Sequence, residues 1–147
     1  MGFATIVSTG FRFVLLLHIL CVLLAFSPLF VMPMLARGGG EGSGAAVMGY
    51  LQRIATPAVV LAGFSGLALI GMSDKFYKFS QTWVGFALLL WIIQVALFWF
   101  ALLPAQRKAA DGDAESARRV SMFTGMIHLC LLILLYLMIW RPGAPPI

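Results

Sequence analysis

Charge is scarce in this 147-residue chain: 10% of its residues are charged and five are acidic, against 62% that are hydrophobic. A soluble domain carries about a quarter charged residues and no more than about half apolar ones, so this polar complement cannot coat a water-soluble globule, which excludes a soluble enzyme. The apolar excess excludes disorder, and two cysteines are too few for a disulfide scaffold. Also missing are a Ser/His/Asp set, a phosphate-binding glycine loop, zinc-ligand spacing and any period of repeat. The acids Glu41, Asp74, Asp111, Asp113 and Glu115 all lie between apolar runs, whereas a proton-coupled carrier needs an acid at membrane depth. The net charge of +5 comes without a basic stripe interleaved with aromatics, so no nucleic-acid partner is expected.

What the chain has is long apolar runs. Hydrocarbon about 30 Å thick takes about 20 residues of helix, and four runs suffice, at about 11–35, 55–72, 82–103 and 120–140. Lipid offers the backbone no partners, so each run is read as a helix, and no strand-like alternation suggests a barrel. The expected fold is all-α, a four-transmembrane-helix bundle forming a single integral membrane domain over 1–147. Within it, Pro28 and Pro33 are expected to kink or end the last turns of the first span. Thr56 and Pro57 read as a capping hydroxyl and an N1 proline opening the second. A glycine-rich link (37–50) and a short aromatic turn (SDKFYKF) join the first three spans. The third connection holds most of the charge, with Glu115 at helical spacing from Arg118 and Arg119, so the fourth helix is expected to run beyond the bilayer.

Lys and Arg counts set orientation. Arg12, Lys75, Lys78 and Arg141 share one side; Arg37, Arg53, Arg107, Lys108, Arg118 and Arg119 share the other. Four against six expects both termini outside.

Few polar groups lie at membrane depth, and each is a functional hypothesis. A neutral imidazole can ligate haem iron, copper or zinc without bringing charge into lipid, which singles out His18 and His128. The alternative for each ring is a hydrogen bond to a hydroxyl or carbonyl of a neighbouring helix. His18 lies six residues beyond Arg12 and His128 thirteen before Arg141, an axial offset of about 10 Å at 1.5 Å per residue, awkward for two ligands of one iron. Ala58, Ala62 and Gly66 form a small-residue ladder that admits a close neighbouring helix, and Gln94 is placed to hydrogen-bond across helices. Trp83, Trp91 and Trp99, eight apart and so turning only about 80° per step, give the third helix a broad aromatic side, expected to face lipid or a partner subunit, with a flat cofactor as the alternative.

The stretches LLLHILCVLLAFSPLFVMPMLAR (15–37), GFSGLALIGMSDKFYKFSQTWVGFALLLW (63–91) and GDAESARRVSMFTGMIHLCLLILLYLMIWRPG (112–143) resemble an uncharacterised bacterial family of four-helix integral membrane proteins. More distantly, the first of them is similar to the opening helix of membrane-bound protoporphyrinogen oxidases and copper-resistance D-like proteins. That resemblance carries over His18 as a haem or metal ligand, framed by Leu29, Phe30, Pro33 and Leu35. The chain lacks their usual tryptophan, having Ala25-Phe26 there, and no second histidine follows Arg37. Two functions are expected from these readings: a non-catalytic accessory subunit packed against a larger, respiratory-type membrane complex in the bacterial inner membrane, or a b-type haem or copper protein using His18. No cofactor is the default.

Overall fold

The computed structural model describes residues 8–38, 49–73 and 76–142, and side chains are described for fewer of these, none of them within 31–38. The glycine-rich link expected at 37–50 lies mostly outside them. The described residues form four long helices and no strand: α1 (Thr9–Gly38), α2 (Thr56–Gly71), α3 (Thr82–Ala110) and α4 (Ala114–Trp140). Each is long and apolar enough to cross a membrane, the second when counted from Arg53, in the turn of helix before α2.

Every described proline within these helices has been absorbed without ending one. Pro28 and Pro33, expected to kink or end α1, lie inside it, and the helix runs on to Gly38. A proline has no N–H for the carbonyl four residues back, which for Pro28 is that of Leu24. The Tyr50 hydroxyl donates to that same oxygen at 3.2 Å. A donor from the next helix thus supplies what the proline cannot, as hydrocarbon requires.

The other two prolines are handled by widening the helix. A π-turn (Leu51–Ala55) precedes α2, with Pro57 two residues after it. A second (Leu97–Leu102) interrupts α3, with Pro104 two residues after it. In each, a backbone N–H reaches back five residues, Thr56 to Leu51 and Leu103 to Phe98. The wider turn carries the preceding carbonyls off the proline ring, which a regular α-turn would drive into them. Thr56 is therefore no N-cap, contrary to expectation: helix already precedes it, and its buried hydroxyl donates back to the Leu51 carbonyl at 2.7 Å.

The third helix outruns its expected limit of 103, and the fourth begins before its apolar run at 120, as its charged first turns led one to expect, leaving only Asp111–Asp113 between them. Gly112 takes the left-handed φ of +91° that this sharp reversal needs. Asp113 then caps α4, its carboxylate accepting from the Ser116 N–H at 3.2 Å and from the Ser116 hydroxyl. Glu115 pairs with Arg119 one turn on, as the spacing allowed, and both are exposed.

Two apolar clusters hold the bundle. In the larger, Ala25, Phe26 and Leu29 of α1 meet Leu51 and Ala55 of the first π-turn, Ala58 and Val59 of α2, Phe98, Leu102 and Leu103 of α3, and Ile127 and Leu131 of α4. Both π-turns thus lie in one core at one end of the bundle. At the other end Trp83, Val84 and Leu137 pack with Ile70 and Tyr77. There Arg141, at the left-handed C-cap of α4, donates to the Tyr77 hydroxyl at 3.1 Å, tying the end of α4 to the α2–α3 turn. Leu61, Phe64, Leu89, Ile92, Phe100, Leu129 and Leu132 point outward, the surface a lipid solvent calls for.

Candidate functional site

α2 lies between two partners and offers each a different stripe. Ala58, Ala62, Ser65 and Leu69, all buried, recur at helical spacing on one side, while Val59, Gly63 and Ile70 line another. The small-residue ladder lies on the first stripe and receives α1. His18 seats there: its Nδ1 lies 2.8 Å from the Ala62 carbonyl and 3.1 Å from the Ser65 hydroxyl. Ser65 turns its own proton to the carbonyl of Leu61 at 2.8 Å or of Ala62 at 3.0 Å. A carbonyl only accepts, so the short contact to Ala62 places the imidazole proton on Nδ1. Gly66 completes the seat: a Cβ there would stand 3.3 Å from His18 Cε1. Nε2 then carries the lone pair, and it makes no hydrogen bond among the described residues.

This arrangement holds the two alternatives weighed for His18 together. The ring is bonded to a neighbouring helix through one nitrogen. The other nitrogen is left in the form that ligates a metal, with the N–H anchored on a backbone carbonyl as ligating histidines usually are. Cys21, one turn on, is buried as a free thiol. Among the described residues, no three His, Cys, Asp or Glu side chains gather to hold a metal ion.

His128 sits elsewhere. Its ring packs against Phe30, with centroids 4.5 Å apart. Phe30 is twelve residues beyond His18, about 18 Å along α1, so the structure does not bring the two histidines together. The hydrogen bond from His128 to a neighbouring helix, weighed from the sequence, is not formed among the described residues: Nε2 is buried and unpartnered there, as is the Thr124 hydroxyl one turn before it. Gln94 is 1% exposed and reaches across to α4, its Nε2 lying 3.4 Å from the Ile127 carbonyl.

The three tryptophans part company rather than forming one side. Trp83 is buried against Tyr77 and Val84. Trp91 turns inward, donating to the Val59 carbonyl at 2.8 Å and occupying the space where a Gly63 side chain would be. Trp99 is 52% exposed. Eight residues advance a helix by about 80°, so sixteen bring the first and last to nearly opposite sides. The π-turn between Trp91 and Trp99 adds its own offset.

Sequence reasoning did not single out Tyr50, Ser65 or Gly63. Ser65 had a signal, since it stands three residues beyond Ala62 on the ladder face; Tyr50 and Gly63 act through residues distant in sequence, which no local pattern shows.

The comparisons with known proteins name no relative. No family model, no curated protein and no solved structure matches the chain. What it does must therefore be argued from its own residues.

Proposed function

We propose that this protein is a small non-catalytic subunit of the bacterial inner membrane, with both termini outside, which packs against a larger membrane complex of the respiratory type. The observation that carries this reading is how three of its membrane-depth polar groups are spent. His18 bonds α2, Trp91 bonds α2 and Gln94 bonds α4, each on a backbone carbonyl of this same chain. These are fastenings between helices, worth about 0.6–2 kcal/mol apiece in a membrane, and they leave broad apolar faces for lipid and a neighbouring protein. Extraction from native membranes in a mild detergent, followed by mass spectrometry of what copurifies, tests the proposal. A stoichiometric membrane partner supports it, and a lone monomer from every preparation defeats it.

One observation favours a second reading, a b-type haem or copper protein. His18 has its proton fixed on Nδ1 and its Nε2 lone pair free of hydrogen bonds among the described residues. A metal group held there would supply electron transfer, with Ala62 and Ser65 orienting its ligand. An optical spectrum and metal analysis of the purified protein, repeated on His18→Ala, decide it: a Soret band or bound copper lost in the variant supports this reading, and neither in the wild type removes it.

A further inference from the structure

Two polar atoms in the middle of α4 lack what burial demands. The Thr124 hydroxyl and His128 Nε2 are both shut off from the surface and both without a hydrogen-bond partner among the described residues, and Thr124 as a residue is 6% exposed. A buried polar group left unsatisfied costs about 1–3 kcal/mol, so two neighbouring ones need a common explanation. Their spacing offers one. Thr124 and His128 are four residues apart, so their side chains share one face of α4, and a single bridging oxygen can serve two polar groups set side by side there. Next to them in the chain, Ile127 turns its carbonyl to Gln94 of α3, while Phe30 of α1 packs against the imidazole.

We propose that Thr124 and His128 form a binding site for one small molecule that both donates and accepts hydrogen bonds, a buried water, held at mid-membrane between the two side chains. The hydroxyl and the imidazole nitrogen differ in what they offer. The hydroxyl can donate or accept, the nitrogen does one or the other according to its tautomer, and water matches either combination. Ordered waters of this kind are part of a structure and satisfy otherwise orphaned groups. The site extends the Gln94–Ile127 link into a short polar seam on α4, independent of what the protein packs against.

Water-edited solid-state NMR on the full chain in lipid bilayers, with ¹⁵N-labelled histidine, reads the site directly, alongside thermal unfolding of Thr124→Val and Thr124→Ser. The expected result is magnetisation transfer from water to the His128 ring in the wild type and in Thr124→Ser. Thr124→Val, which keeps the shape but removes the hydroxyl, should lose the transfer and unfold several degrees lower. The wild-type spectrum keeps the test decisive if a variant does not fold. Absence of water transfer to His128 in the wild type overturns the proposal. So does a Thr124→Val protein that unfolds at the same or a higher temperature, since removing an unsatisfied hydroxyl would relieve the helix.

Discussion

Gly63 and Gly66 are three residues apart on α2, yet a methyl group at each would meet different resistance. At Gly66 the nearest atom is His18 Cε1 at 3.3 Å, so that the ring, held by Ala62 and Ser65, would have to give by only a few tenths of an ångström. At Gly63 the methyl would fall inside the Trp91 indole, which is pinned by its hydrogen bond to Val59 and by Phe64 set edge-on at 5.8 Å. Gly63→Ala should therefore cost about 1–3 kcal/mol, the range for overpacking, and clearly more than Gly66→Ala. Thermal unfolding of the two variants in one detergent checks the order. Tyr50→Phe makes a second case, since it removes only the donor that Leu24 has in place of the missing proline N–H. A loss of about 0.6–2 kcal/mol is expected, with faster amide exchange in α1 around Leu24.

At the scale of elements, the charged turn between α3 and α4 responds to pH. The Ser116 hydroxyl, followed by the backbone N–H groups of Ser116 and Glu115 and by the charge of Lys108, holds the Asp113 carboxyl below its ordinary range. A depressed folded pKa means that the cap's contribution is fully present above the unfolded value and is lost as pH falls through the folded one. Below the ordinary carboxylate range the first turn of α4 should fray, seen as faster amide exchange at Ser116 and Ala117. Asp113→Asn, which can still cap, should flatten that dependence. This is also the scale at which the sequence was easiest to read. Four spans followed from apolar length alone, because lipid leaves a helix no alternative. Their internal breaks did not follow, because Pro28 looks like a terminator until Tyr50 is seen to serve its neighbour's carbonyl. The ladder of Ala58, Ala62 and Gly66 was visible in the spacing, but that it receives His18 depends on α1 and α2 lying side by side. The facing of Trp83, Trp91 and Trp99 departs from a single broad side because Trp91 finds its partner on α2, a contact that no spacing within α3 reveals.

For the molecule as a whole, the two ends differ. One holds Arg141 against Tyr77, and the other carries the α3–α4 turn with Arg107, Lys108, Arg118 and Arg119 close by in sequence. If the richer basic end faces the cytoplasm, a periplasm-dependent reporter fused after the last residue should be active and a cytoplasm-dependent one silent. The reverse pattern would invert the topology and leave the packing described above untouched.

A π-turn amounts to one residue of slack in an otherwise regular helix. Deleting a single residue within 97–102 would let α3 close into an ordinary α-turn, with the segments before and after keeping their facing and the damage confined to the surroundings of Pro104. The same deletion at 86–90 would rotate everything beyond it by about 100°, taking Gln94 off α4 and Trp91 off α2. Tolerance to a lost residue in this membrane protein should therefore be concentrated at its two widened turns, where a chain of this kind can shorten by one and still assemble.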